Sequence, residues 1–167
     1  MSTVETQIRP LQENDKHFIF STWLKSCRYS LTSKRVPNDH YFAYQQVLIR
    51  NLWNRPRVKT LVLSLIEDPG FIVGYICFER TPVFDVPKNI VHFAYVRGTF
   101  QNEGFLKTLL DHAGIDLNEE VIFTHYTLES SFLKEKRAVD KSEPKLTAEV
   151  LKSKFPKLVY NPYLSFF

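Results

Sequence analysis

The stretch Val91-His92-Phe93-Ala94-Tyr95-Val96-Arg97-Gly98-Thr99-Phe100-Gln101-Asn102-Glu103-Gly104-Phe105-Leu106-Lys107-Thr108-Leu109-Leu110 decides the fold. Its first six residues form a mostly apolar run rich in aromatics, the pattern of a buried strand. Arg97 to Gly104 is a short polar turn holding two glycines, after which Phe105, Leu106, Leu109 and Leu110 recur at helical spacing. A strand that enters a helix through such a turn leaves the first-turn N–H groups without intrahelical acceptors, at the positive end of the helix dipole. Such a site can hold a phosphate. Val96, Gln101, Asn102, Glu103, Gly104, Phe105, Leu106 and Lys107 are therefore the candidate cofactor-binding positions.

On the amino-terminal side, residues 7–11 read as a first strand, and Asn14 or Asp15 offers an N-cap for a helix through about Tyr29. A polar, basic loop at 30–38 leads to a second helix from Asp39 to about Asn54, stopped by Pro56. The period then changes. Val58 to Ile66 and Phe71 to Arg80 are strands joined by the turn Glu67-Asp68-Pro69-Gly70, and Pro82 and Pro87 are expected to bracket a loop before the strand from about Asn89 to Val96. Beyond the helix from about Glu103 to Ile115, Val121 to Tyr126 reads as a strand, Leu146 to Lys154 as a helix and Leu158-Val159-Tyr160 as a last strand. The expected architecture is α+β, in the order β-α-α-β-β-β-α-β-α-β, in a single domain over residues 1–167.

Composition narrows the function classes. The chain has 167 residues, 44% hydrophobic and 24% charged, and no apolar run approaches the roughly 20 residues that cross a bilayer. No secretory leader is visible at the start, so the expected location is the cytoplasm, without membrane contact. Cys27 and Cys77 are the only cysteines and form no CxxC pair, so a disulfide framework and a zinc site are not expected, and no metal is assigned. The net charge of +4 is uneven: nine Lys/Arg against four Asp/Glu in 1–57, five against nine in 58–125, and eight against five in 126–167. Aromatic residues are not interleaved with the basic ones, which argues against a nucleic-acid platform. There is no GxSxG elbow, Walker loop or HExxH. The aromatic ending Tyr160 to Phe167 is expected to pack back on the domain, with a docking tail or homodimer contact as the alternative.

The turn resembles the acyl-CoA signature V-x-x-x-x-[Q/R]-x-x-G-x-[G/A] of the GCN5-related N-acetyltransferase (GNAT) superfamily, with Val96, Gln101 and Gly104 in place and Leu106 where the family has Gly or Ala. The element order and the strand Phe71-Ile72-Val73-Gly74-Tyr75-Ile76 are similar to the same family over nearly the whole chain. The ending Tyr160-Asn161-Pro162-Tyr163 also resembles small bacteriophage proteins of this fold, which would place a phage-encoded protein in the host cytoplasm. The resemblance implies a mixed, mostly antiparallel sheet flanked by helices, acetyl-CoA as cosubstrate, and direct attack of an amine on the thioester. The amine acceptor, a small molecule or a protein, is unspecified.

Leu106 is expected to crowd the anion, and Glu103 sets a carboxylate beside it that Arg97 and Lys107 offset. The family's carboxylate in the fourth strand has no counterpart in 89–96, and Leu151 stands near its usual tyrosine. His92, on the strand, and His125 with Tyr126, at the end of the next, are the candidate catalytic groups, since an imidazole titrates near 6.5 and can accept a proton. Two alternatives stay open: a protein of this fold that has lost catalysis and binds a macromolecular partner, and a basic nucleic-acid binder.

Overall fold

Among the described residues six strands make one sheet in chain order: Thr6–Pro10 (β1), Lys59–Leu65 (β2), Ile72–Val83 (β3), Val86–Val96 (β4), Val121–Phe123 (β5) and Leu158–Tyr160 (β6). β1 through β4 pair antiparallel, and β5 and β6 add to the β4 side in parallel. The computed structural model describes residues 4–28, 33–125 and 158–165. The helix expected at 146–154 and Tyr126 lie outside them. Lys16–Arg28 (α1), preceded by a 3-10 turn at Glu13–Asp15, and Asn38–Trp53 (α2) follow β1, and Phe105–Ala113 (α3) lies between β4 and β5. The architecture is the α+β mixed sheet that the sequence implies.

Alternation along the strands feeds two cores, one on each face. Trp23, Leu24 and Cys27 of α1 and Tyr41, Ile49 and Leu52 of α2 pack on Val62, Tyr75, Cys77 and Phe93. On the opposite face Leu106, Leu109 and Leu110 of α3 meet Leu63, Val73, Ile76, Ala94 and Val96. Burying one such aliphatic side chain contributes about 1.5–3 kcal/mol, so the two layers hold the sheet between them. Gly114, at φ +70°, ends α3: its N–H bonds the Asp111 carbonyl and Ile115 N–H bonds that of Leu110, the paired closure that a left-handed glycine permits.

The expected loop between Pro82 and Pro87 is instead a continuous β-ribbon. β3 runs through Pro82 to Val83, a tight turn at Phe84 (φ 50°) and Asp85 (φ 63°) follows, and β4 starts at Val86. Val83 faces Val86 and Pro82 faces Pro87. Ladder bonds in an antiparallel pair alternate, and the pair next to a two-residue turn's closing pair is the one that exchanges none. Two prolines can stand opposite each other there because neither needs an N–H.

A bulge shapes β4. Cys77 faces Phe93 while Phe78 faces Val91, so His92 is an extra residue in its strand. Such an insertion breaks strict alternation and turns consecutive side chains to one face. Phe93 stacks on Trp23 in the α1/α2 core, and His92 bonds Glu79, which alternates with Cys77 on that same face.

Candidate active site

β5 accompanies β4 only briefly. Asn89, Ile90 and Val91 pair with Val121, Ile122 and Phe123, and Thr124 N–H donates to the Val91 carbonyl. From His92 to Val96, β4 has β3 as its paired neighbour and no strand on its other side among the described residues. Its far end delivers the chain to a 3-10 turn, Gly98–Phe100, and then to α3.

That turn is built by backbone conformation more than by side chains. Asn102 (φ 71°) and Gly104 (φ 81°) are both left-handed, and Gly104 caps α3 with no side-chain bond. Gln101 is spent on structure: its Nε2 donates to the Val96 carbonyl at 3.0 Å and ties the turn to the strand end. Thr108 N–H is the first amide to reach back to Gly104, at 3.0 Å. The amides of Phe105, Leu106 and Lys107 precede it and have no intrahelical acceptor. A Cβ at Gly104 would find nothing within 4 Å, so that side of the turn is uncrowded among the described residues.

Leu106 does not crowd the anion. It is 4% exposed and packs into the core beneath α3, so only its amide is on the outer side. The helix puts position 106 in phase with Leu109 and Leu110, so its side chain turns into the core. Glu103 is exposed, and the Lys107 ammonium bonds Asp111 at 2.7 Å on the helix surface. Arg97 is held between the rings of Phe18 and Phe71, its guanidinium 4.5 Å from each centroid.

A line of buried polar side chains crosses the strands at the point where β4 and β5 part. Arg55, just past α2, reaches Glu79 Oε1 at 3.2 Å, and His92 Nε2 bonds the same oxygen at 2.8 Å. His92 Nδ1 meets Thr124 Oγ1 at 3.0 Å, and Thr124 Oγ1 meets His125 Nδ1 at 2.9 Å. Burial would raise the Glu79 carboxyl, but the His92 bond and the charges of His92 and Arg55 outweigh it and hold the group below its ordinary value. Burial lowers His92, against the pull of Glu79, and lowers His125 to about 3, with the His92 ring adding to the effect and the His92 backbone carbonyl opposing it. Both imidazoles are neutral at neutral pH. His125 also stands edge-on to Trp23, ring centroids 5.2 Å apart.

Thr124 and His125 border a cavity of about 500 Å³ on the α1/α2 side of the sheet, with Tyr41, Tyr44 and Gln45 of α2 and Tyr160 of β6 among its walls. No aspartate or glutamate is among its described lining residues. Cys27 reaches it too, but burial pushes that thiol well above its ordinary value and keeps it protonated.

No family model and no curated protein matches the sequence. Solved structures do match the fold. One is the ribosomal-protein-alanine N-acetyltransferase of Brucella melitensis biovar Abortus 2308, with 15% identity over 86% of this chain and 94% of that one and a TM-score of 0.51. Another, from Pyrococcus furiosus and assigned as an acetyl transferase, has 13% identity over 86% and 97%, with a TM-score of 0.54. The chain has the acetyltransferase fold.

Within this acetyltransferase fold the residues expected from the sequence separate. Val96 and Gln101 shape the strand end; Asn102 to Lys107 surround the open amides; His92 is 1% exposed with both ring nitrogens engaged, so it cannot meet a substrate directly. His125 alone of the named catalytic candidates borders the cavity among the described residues. Glu79, Arg55 and Thr124 were missed. A carboxylate within the apolar run Tyr75-Ile76-Cys77-Phe78-Glu79 was the available signal, because such a group needs a buried partner. The described residues contain no group of three or more His, Cys, Asp or Glu that could hold a metal, and no helix long and apolar enough to cross a membrane.

Proposed function

We propose that the protein binds acetyl-CoA along the end of β4 and the turn into α3, and transfers its acetyl group to an amine. The observation that carries this reading is that β4 has no strand paired on its β5 side from His92 to Val96 among the described residues, and that amides 105–107, farther along the chain, have no helical acceptor. The pantetheine amides would pair with the β4 edge from His92 to Val96, and the diphosphate would sit on the first turn of α3. The thioester oxygen, meeting a β4 N–H, is stabilised as negative charge develops on it. The amine lone pair attacks the carbonyl carbon, the C–N bond forms, the C–S bond breaks, and CoA leaves as thiolate. The acceptor would occupy the cavity beside His125, whose ring lies near the His92 carbonyl on the β4 edge.

Titration calorimetry with acetyl-CoA tests this reading. Exothermic one-to-one binding and a rise in melting temperature are expected. Neither signal at millimolar ligand would remove the cosubstrate and leave a binding module of the same fold.

A further inference from the structure

The polar line between Glu79 and His125 has a direction. An ionised Glu79 can only accept, so the bond at 2.8 Å requires a proton on His92 Nε2. A neutral His92 then has a bare Nδ1, which must accept from the Thr124 hydroxyl. The Thr124 oxygen is left as an acceptor, so His125 Nδ1 donates to it and His125 Nε2 carries a lone pair. The one ring proton, on Nδ1, then also serves the His92 backbone carbonyl, and Nε2 is the nitrogen left without a proton.

The same atoms support a second arrangement in which every bond is reversed up to His92. His125 then carries its proton on Nε2, Thr124 donates to His125 Nδ1, and His92 is an imidazolium that donates to Thr124 and to Glu79. The two arrangements differ by one proton. We propose that Glu79, His92, Thr124 and His125 form a proton relay that takes a proton from the cavity's occupant at His125 Nε2 and stores it on His92 beside Glu79.

The relay rests on the acetyl-transfer reading, and it supplies a step that transfer requires. Attack on the thioester makes the amine nitrogen cationic, and its proton must leave for the amide to form. That proton enters at His125 Nε2, the Nδ1 proton passes to Thr124 Oγ1, and the hydroxyl proton passes to His92 Nδ1. No electrons are exchanged, and CoA leaves with the electron pair of the C–S bond. The relay empties by the reverse path once product has gone. His125 is the catalytic residue of this scheme; Thr124, His92 and Glu79 act through it. The other titratable or charged groups facing the line or its cavity among the described residues are Arg55, Cys27, His40, Tyr41, Tyr44, Cys77 and Tyr160. Arg55 keeps Glu79 ionised while opposing the charge on His92.

The test needs no acceptor. Ring ¹⁵N spectra of the uniformly labelled full chain, with the imidazoles assigned by single-histidine variants, report which nitrogens carry protons as pH falls. The expected result is one midpoint, below 6.5, at which His92 gains a second proton while His125 switches from Nδ1–H to Nε2–H without gaining charge. Thr124→Val should abolish the His125 switch, and Thr124→Ser should restore it. Should Thr124→Val fail to fold, Glu79→Gln replaces it: the amide still accepts from His92 but no longer neutralises it, so the shared midpoint should move to lower pH. A His125 ring that keeps one tautomer through the His92 titration, or a switch that survives Thr124→Val, overturns the relay. Acetyl-CoA calorimetry on the same samples separates the two failures. Uncoupled rings with intact binding sink the relay alone, and lost binding sinks the transfer it serves even if the rings stay coupled.

Discussion

Gly104 and Leu106 stand two residues apart in the turn and have opposite jobs. Gly104 has open space where a side chain would go, so its requirement is the left-handed backbone at φ 81°. Gly104→Ala should therefore cost about 1 kcal/mol through strain and leave acetyl-CoA affinity nearly intact. Gly104→Asp carries the same strain but sets a carboxylate over the free amides, and it should abolish binding. Calorimetry and melting curves on the pair separate charge from strain; equal affinity in the two variants would move the diphosphate elsewhere. Leu106 is the reverse case. Removing its buried side chain with Leu106→Ala should cost about 2–5 kcal/mol by opening a cavity under α3, with no gain in affinity. A tighter complex at unchanged stability would mean that the leucine does obstruct the ligand.

At the level of elements, the contact between β3 and β4 sets the geometry of the site. A Cβ at Gly74 would come within 2.6 Å of the Tyr95 carbonyl oxygen and 3.2 Å of Val96 Cγ2, so the two strands approach as closely as a bare glycine allows. Gly74→Ala should push the end of β4 away, costing about 1–3 kcal/mol. It should also weaken acetyl-CoA binding, because Val96 anchors the turn through Gln101. Melting temperature and calorimetry read the two effects, and a destabilised variant with wild-type affinity would show that the strand end does not position the ligand. The central strands were legible because β2, β3 and the second half of β4 carry apolar runs rich in β-branched and aromatic residues, and α3 because its leucines keep helical phase. The bulge at His92 was not legible, since it depends on which residue β3 sets opposite it. Nor were the partners of His92: Glu79 lies thirteen residues away and Thr124 thirty-two, and only strand pairing makes them neighbours. The hairpin prolines misled for the same reason, as register decides whether a missing N–H matters.

For the whole molecule, Arg55 joins the layers. It reaches Glu79 within the sheet and the backbone carbonyls of Leu164 and Ser165 in the final turn, so the aromatic ending packs on the domain where its described residues can be followed. This closure keeps the histidine line buried and makes the global stability depend on pH. His92 and His125 are both held below 6.5 when folded, while the unfolded chain titrates near 6.5. Below that pH the unfolded state binds more protons, so their contribution is complete above about 6.5 and is lost as pH falls through the folded values. Asp15, where burial is outweighed by the bonds and charge of Arg9 together with the Gln12 N–H, and Glu79 lie below the ordinary carboxylate range. Their share has the same sign but is lost only in stronger acid, below about 4. Stability should therefore be level between about pH 7 and about pH 8, and on the acid side it should begin to fall while the carboxylates are still ionised. With a folded value of about 3, His125 alone supplies a slope of up to about 1.4 kcal/mol per pH unit below about 6.5. His125→Phe keeps a ring edge-on to Trp23 and removes the titration. Its melting temperature should start lower, for want of the Thr124 bond, yet drop less than wild type between about pH 7.5 and about pH 5. Parallel drops in the two proteins would mean that the imidazole takes up solvent protons in the fold as readily as in the unfolded chain, and an imidazole charged in that way could not receive a proton from an amine.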